Sequence, residues 1–239
     1  MSHYDHFAQF YDHVVGSRDS IAKLLTLLVR RYNPTARTLL ELGCGSGTML
    51  AVLSRSYRTT GLDLSRGMLS IARKKAPGAR LIHGDITTFD LQERFDAIVC
   101  PFDTINHVTS FAKWKQVFRR AHAHLNPGGV FIFDVNTEHK MEEYRTDPVT
   151  ADVERDVVTM VQVKRRRKFR YDVILRIFRR RSGAMFEHHE MVLPELVVPT
   201  ATILSELGKY FRKITLVDPD RARPSPYTEE LFFVCREPR

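Results

Sequence analysis

Up to residue 135, short apolar runs alternate with stretches whose apolar residues recur at helical spacing. Residues 18–32 carry Ile21, Leu24, Leu25 and Leu28 on one stripe, and Pro34 ends that helix. The run 38–42 reads as a buried strand, followed by glycines and a helix through Met49, Leu50 and Leu53. A second strand is predicted at 59–63, and Ser65 is placed to cap a helix holding Met68, Leu69, Ile71 and Ala72. After the Pro77-Gly78 break come strands at 80–83 and 95–100. Ser110 is expected to cap a long helix reaching Leu125, and Asn126-Pro127-Gly128-Gly129 reads as a turn before a fifth strand at 130–135.

The period then switches. Over 153–193 apolar residues fall at every second place, as in Phe169, Tyr171, Val173, Leu175 and Ile177, with Arg170, Asp172 and Arg176 between them. That alternation predicts two or three antiparallel strands packed on one face. A helix with Ile203, Leu204 and Leu207 follows Pro199, then strands at 214–217 and 231–235. Strands alternating with helices predict a mostly parallel sheet covered on both faces, an α/β chain of Rossmann-like architecture with a small antiparallel β insertion. The boundaries read as 1–138 with 196–239 for the main domain and 139–195 for the insertion.

The 239 residues, 43% hydrophobic and 27% charged, suit one domain with a modest insertion and a sizeable core. No apolar run approaches the ~20 residues that span a bilayer, and the start Met1-Ser2-His3-Tyr4-Asp5-His6 is unlike a signal peptide. The chain thus reads as a cytoplasmic protein without a membrane partner. Cys44, Cys100 and Cys235 are odd in number and far apart, which excludes a disulfide framework and any CxxC metal pair. The balance of 37 basic against 28 acidic residues raises nucleic acid or another anionic partner.

Gly43-Cys44-Gly45-Ser46-Gly47 lies between the first strand and the next helix. Glycines there permit a tight turn and close approach of backbone to a ligand, beside helix N–H groups. The spacing is not the dinucleotide GxGxxG, because Thr48 occupies the last position, and no Walker lysine follows. Asp63, twenty residues after Gly43, ends the second strand, where a carboxylate can accept both hydroxyls of a ribose. Asp85 follows the third strand beside the same cleft.

LLELGCGSG, GLDLS, GDI, FDAIVC and LNPGG, in this order, resemble the successive motifs of class I S-adenosylmethionine-dependent methyltransferases over about residues 36–136. The resemblance implies that Gly43, Cys44, Gly45 and Gly47 form the loop holding the methionine part of S-adenosyl-L-methionine. Glu41 would orient that loop or reach the amino group. Asp63 would bind the ribose, Leu64 and Met68 would line the adenine, and Asp85 beside Ile86 would accept from the adenine amino group. Pro101 would lie near the sulfonium. Tyr4, Phe7 and Tyr11 sit at helical spacing in a pattern similar to the lid helix of such enzymes. Tyr11 would face the sulfonium and Arg18 would pair with the cofactor carboxylate. Plain alternatives are core packing for Leu64, Met68 and Tyr11, and turn or helix capping for Asp63 and Asp85.

Methyl transfer from a sulfonium needs positioning more than a catalytic dyad. Strand C-termini of wound sheets face the ligand crevice, which points to 102–107. FDTINHV is similar to a pattern of bacterial small-molecule members that carry an antiparallel insertion, as amino-sugar N-methyltransferases do. Cys-Pro-Phe-Asp replaces the (Asn/Asp)-Pro-Pro-(Tyr/Phe) motif of DNA and glutamine-amide enzymes. Asp103 or His107 could take a proton or orient an acceptor; Asp103 and Asn106 serve equally as turn caps. His189, in Phe186-Glu187-His188-His189-Glu190, resembles a recurrent histidine of those relatives. Neighbouring residues on a strand point to opposite faces, so no metal is expected there. The acceptor is read as a small molecule methylated on nitrogen or oxygen, and the alternative is a nucleic-acid substrate.

That alternative rests on Lys164-Arg165-Arg166-Arg167-Lys168-Phe169-Arg170 and Arg179-Arg180-Arg181. Residues 164–181 hold ten basic residues and one acid, Asp172, leaving 27 of each sign elsewhere. The excess charge belongs to the inserted hairpin, where it suits an anionic acceptor or partner, or solvated hairpin ends.

Overall fold

The computed structural model describes residues 19–146, 150–154, 156–183 and 185–238. A helix, α1 (Asp19–Tyr32), precedes β1 (Thr38–Leu42), α2 (Thr48–Leu53), β2 (Arg58–Asp63), α3 (Arg66–Lys75), β3 (Arg80–His83) and β4 (Phe95–Cys100). Then come α4 (Phe111–Ala123), β5 (Leu125–Asn136) and α5 (Glu138–Thr146). The antiparallel strands β6 (Thr150–Glu154), β7 (Val157–Arg167), β8 (Arg170–Ser182) and β9 (Met185–Leu196) follow, before α6 (Thr200–Leu207), β10 (Phe211–Val217) and β11 (Glu230–Pro238).

The seven-stranded sheet runs in the order β10-β11-β5-β4-β1-β2-β3. Only β11 is antiparallel to its neighbours β5 and β10; the five strands β1 to β5 pair in parallel. Burial of both faces explains why β1 and β5 read as continuous apolar runs rather than alternations. One face gathers Trp114, Phe118, Phe131, Phe133 and Phe233; the other gathers Leu25, Val29, Leu39, Val99, Ile132 and Phe232. Phe133 and Phe233 are cross-strand partners with rings 4.8 Å apart and 5° from parallel.

Several expected details differ. The fifth strand begins at Leu125, so Asn126-Pro127-Gly128-Gly129 lies within it. The register against β4 jumps between Phe95↔Leu125 and Ala97↔Val130, with Gly128 at φ 76° and Asn126 Nδ2 donating to Asp96 Oδ1 at 2.8 Å. A bulge thus absorbs the extra residues without ending the strand. Ser65 caps α3 by accepting from Met68 N at 3.1 Å. Ser110 precedes α4 but makes no side-chain cap hydrogen bond.

The inserted segment opens with a helix, α5, and has four strands, ordered β6-β7-β8-β9, rather than two or three. Period-two burial holds on β9: Met191, Leu193 and Glu195 are buried, whereas Glu190 and Pro194 are exposed. Leu175, Ile177, Met191 and Leu193 form the core of this sheet. Buried Asn106 ties it to the end of β4. Its Nδ2 donates to Leu196 O at 3.0 Å and its carbonyl accepts from Leu196 N at 2.8 Å. Its Oδ1 also accepts from Asn136 N at 3.2 Å.

The basic residues divide between the two ends of the β7–β8 hairpin. Lys164 to Arg170 surround its turn, and Arg179 to Arg181 lie about ten residues away, roughly 33 Å along the strand. Arg176 pairs with Glu190 at 2.7 Å and Arg179 with Glu187 at 2.8 Å, each directly across the strand. Arg181 also reaches Glu187, Arg180 reaches Asp156, Arg165 reaches Glu142 and Arg166 pairs with Asp172.

Asn106→Ala removes a partner from both the Leu196 carbonyl and the Asn136 amide. A loss of about 1–3 kcal/mol is expected, measurable as a melting temperature lower by roughly 2–4 °C per kcal/mol.

Candidate active site

The loop after β1 is shaped by its glycines. Gly43, Gly45 and Gly47 have φ of 72°, 52° and 79°, a left-handed region that side-chain-bearing residues rarely adopt. A Cβ on Gly43 would stand 2.4 Å from Thr104 Cγ2, so the loop and the segment after β4 touch directly. A Cβ on Gly47 would meet Ala72 Cβ at 2.8 Å, so that glycine serves helix packing. Asp63 fixes the loop: its Oδ2 accepts from Gly45 N at 2.7 Å and its Oδ1 from Ser65 N at 2.8 Å.

In front of the loop lies a cavity of about 460 Å³. Gly43, Gly45, Asp63, Leu64, Met68, Asp85, Ile86 and Thr87 line one part of it, and Phe102, Thr104, His107, Val108, Lys113, Leu193 and Pro194 another. Leu64 is 56% exposed, an apolar side chain left uncovered on the wall. Asp85 Oδ1 accepts from Thr87 N at 2.7 Å. The cavity therefore joins the C-terminal ends of β1 to β4 to the inserted sheet.

Next to His107 sits a polar cluster drawn from four parts of the fold. His107 Nε2 lies 3.5 Å from Asp103 Oδ2. Asn136 Nδ2 donates both to Asp103 Oδ2 at 3.0 Å and to Glu195 Oε2 at 3.1 Å. Lys140 Nζ donates to Asn136 Oδ1 at 2.8 Å. Asp134 Oδ2, fully buried on β5, accepts from Asp103 N at 2.7 Å. Burial, and then the charge of Asp103, push the Glu195 carboxyl well above the usual carboxylate range. Burial and the charge of Glu230 do the same for Asp134. Asp103, His107 and Glu195 offer ligand atoms within 4.8 Å of one another; a cation entering there meets the Lys140 ammonium, itself held charged by Asp103 and Glu230 despite burial.

Comparison with known proteins follows the same architecture. The sequence pattern of a family described as "Methyltransferase domain" matches residues 39–129. The structure of an S-adenosylmethionine-dependent methyltransferase from Clostridium acetobutylicum superposes with a TM-score of 0.83 at 22% identity, covering 98% of this chain and 99% of that one. Residues 39–129 thus match a methyltransferase domain, and the chain as a whole shares the fold of that solved methyltransferase. CalS10, an amino pentose methyltransferase from Micromonospora echinaspora solved with S-adenosylmethionine bound, superposes with a TM-score of 0.78 at 23% identity, covering 97% and 96% of the two chains. A dTDP-3-amino-3,6-dideoxy-alpha-D-glucopyranose N,N-dimethyltransferase from Streptomyces fradiae is 42% identical over 111 residues, 46% of this chain and 44% of that protein. The chain thus spans about half the length of the curated sugar-methyltransferase relatives it matches.

The cavity brings together Gly43, Gly45, Asp63, Leu64, Met68, Asp85, Ile86 and His107. Glu41, 2% exposed on β1, and Cys44, whose thiol burial pushes upward, do not line it. Pro101 is buried behind the strained segment that follows it, and accepts from Thr104 Oγ1 at 2.7 Å. Tyr11 and Arg18 lie outside the described residues. His189 is not brought to the cluster. It shares the buried face of β9 with Glu195 but stands six residues away, about 20 Å along the strand, and faces Glu187 at 3.1 Å. Glu195, Lys140, Asn136, Asp134 and Thr104 were not anticipated. Only Asp134 and Asn136 leave a trace in the sequence, as polar residues ending the apolar run of β5.

An acid raised by folding keeps its proton after the unfolded chain has released its own near pH ~4, so its stabilising contribution is fullest at low pH and falls as pH rises. Glu195→Gln removes that dependence. Its melting temperature is expected to gain on the parent's between about pH 5 and pH 8; parallel profiles in thermal melts would contradict the assignment.

Proposed function

We propose that the protein transfers a methyl group from S-adenosyl-L-methionine to the amino nitrogen of a small-molecule acceptor, an amino sugar. The observation that carries this reading is one continuous cavity whose glycine–aspartate wall meets His107, beside the Asp103–Glu195 cluster.

The residues present fit the cofactor. The close approach of Gly43 to Thr104 leaves no room for a side chain and presents bare backbone to the cavity. Gly43 and Gly45 would hold the methionine part, Asp63 the ribose hydroxyls, and Leu64, Met68 and Ile86 an apolar ring face, with Asp85 at the ring's edge. When bound, S-adenosylmethionine supplies a methyl group on a sulfonium, an already activated leaving group. The chain then needs to orient the acceptor and exclude water. An amine must present its lone pair and end by releasing a proton. Asp103, with His107 within 3.5 Å, is placed to hold the amine and draw off that proton. A hydroxyl would gain at least as much from a base there, so the choice of nitrogen rests on the likeness to sugar N-methyltransferases. Lys113 on the cavity wall suits the anionic part of an acceptor such as a sugar carried on a nucleoside diphosphate.

The nucleic-acid reading receives no comparable support. The basic residues divide between the two ends of the hairpin, and six of them pair with carboxylates. No helix among the described residues is long and apolar enough to cross a membrane.

Two outcomes follow. Asp63→Ala is expected to remove most binding of S-adenosylmethionine or its demethylated product in calorimetry, and absence of heat with the parent protein would overturn the reading. Replacing Arg165, Arg166 and Arg167 by Ser is expected to leave transfer of labelled methyl to dTDP-linked amino sugars unchanged, because exposed ion pairs contribute only about 0–1 kcal/mol. Activity on total RNA alone, lost in that variant, would favour the nucleic-acid alternative.

A further inference from the structure

The segment after β4 carries an unusual backbone. Phe102 and Asp103, neither a glycine, have φ of 60° and 47°. Two consecutive side-chain-bearing residues in the left-handed region persist only where the surroundings hold them. Two residues of β5 hold this turn from the same face of the sheet, in different ways. Asn136 grips the Asp103 carboxylate at 3.0 Å. Asp134 grips the Asp103 backbone, its Oδ2 accepting from Asp103 N at 2.7 Å.

Asp134 interrupts an apolar strand, and besides the Asp103 N–H it hydrogen-bonds Glu230 at the start of β11. It is fully buried between Phe133 and Val135 and does not line the cavity. A carboxyl so placed is costly to bury and must be used. The turn it holds faces two ways. Asp103 stands against His107, Asn136 and Glu195, while the next residue, Thr104, packs against Gly43 of the glycine loop.

We propose that Asp134 is a positioning residue of the active site. From within the sheet it fixes the Phe102–Asp103 turn and thereby sets Asp103 against the acceptor and Thr104 against the cofactor loop. The inference rests on the methyl-transfer reading above and names a residue that reading does not use.

The test compares Asp134→Asn with Asp134→Leu in the full chain. Asn keeps a carbonyl oxygen for the Asp103 N–H; Leu keeps the approximate volume and removes the acceptor. Asp134→Leu is expected to lower kcat on the order of 100-fold, the effect of a small misplacement of reacting groups. KM for the methyl donor should stay within about threefold, and Asp134→Asn should restore kcat to within about tenfold of the parent. Amide hydrogen exchange at Asp103 should be slow in the parent and in Asp134→Asn, and fast in Asp134→Leu. An unchanged kcat in Asp134→Leu, or equal losses in both variants, would overturn the proposal. Should Asp134→Leu fail to fold, the parent decides: an Asp103 amide exchanging as fast as an unprotected loop amide also overturns it. If the parent transfers no methyl group, the functional reading fails by itself, and the exchange comparison still reports whether Asp134 holds the turn.

Discussion

Gly43 and Thr104 approach so closely that a single added methyl group would collide at 2.4 Å. The contact joins the ends of β1 and β4, which are neighbours in the sheet. Because the strands are parallel, both chains leave the sheet on the same side, and their connecting segments must share one narrow space. The glycine loop yields by having no side chain, and the β4 segment yields by adopting a left-handed turn at Phe102 and Asp103. Asp63 stiffens one partner through Gly45 and Ser65. Asp134 and Asn136 stiffen the other. The cavity is the volume left in front of this contact, and its two walls inherit their spacing from it.

The inserted sheet completes the arrangement through one strand end. β9 delivers Leu193 and Pro194 to the cavity and Glu195 to the cluster, and Asn106 anchors the strand immediately afterwards through Leu196. The sheet is held further by its own core, by cross-strand ion pairs, and by α5, where Met141 packs on Val163 and Tyr171 and Glu142 accepts from Tyr171 Oη. Of the arginines that give the sequence its basic excess, Arg165, Arg176, Arg179 and Arg181 pair with carboxylates supplied by β9 and by α5. At Arg176 and Arg179 the sheet sets opposite charges directly across the strands, while Lys164, Arg167 and Lys168 stay exposed at the hairpin turn.

What could be read from the chain followed from local physics. Continuous apolar runs identify strands buried on both faces, and the alternation after residue 150 identifies strands buried on one. Asp63 and Asp85 were visible because each ends or follows a strand next to glycine or a helix cap. Glu195, Lys140 and Asn136 were not, because each is an ordinary polar residue whose neighbours within the cluster lie on other elements, up to 92 positions away for the Asp103–Glu195 pair. His189 and Glu195 fall on the same face of β9, and the tertiary anchor at Asn106 brings the Glu195 end to the polar cluster. The bulge in β5 was missed for a related reason, since a glycine-rich tetrapeptide ends a strand by default unless a partner strand tolerates the extra residues.

The stacked pair Phe133 and Phe233 bears on how the molecule comes into being. β11 fills the gap between β5 and β10, yet its partners on β5 are about a hundred residues earlier in the chain. During synthesis the first five strands emerge with one flank of β5 open, its backbone donors and acceptors unsatisfied and its aromatic side chains uncovered on that side. The inserted strands, paired with their immediate neighbours in sequence, close their contacts first. Until β11 pairs with it, that flank of β5 is an open edge, and the pairing of the last strand is what closes the sheet.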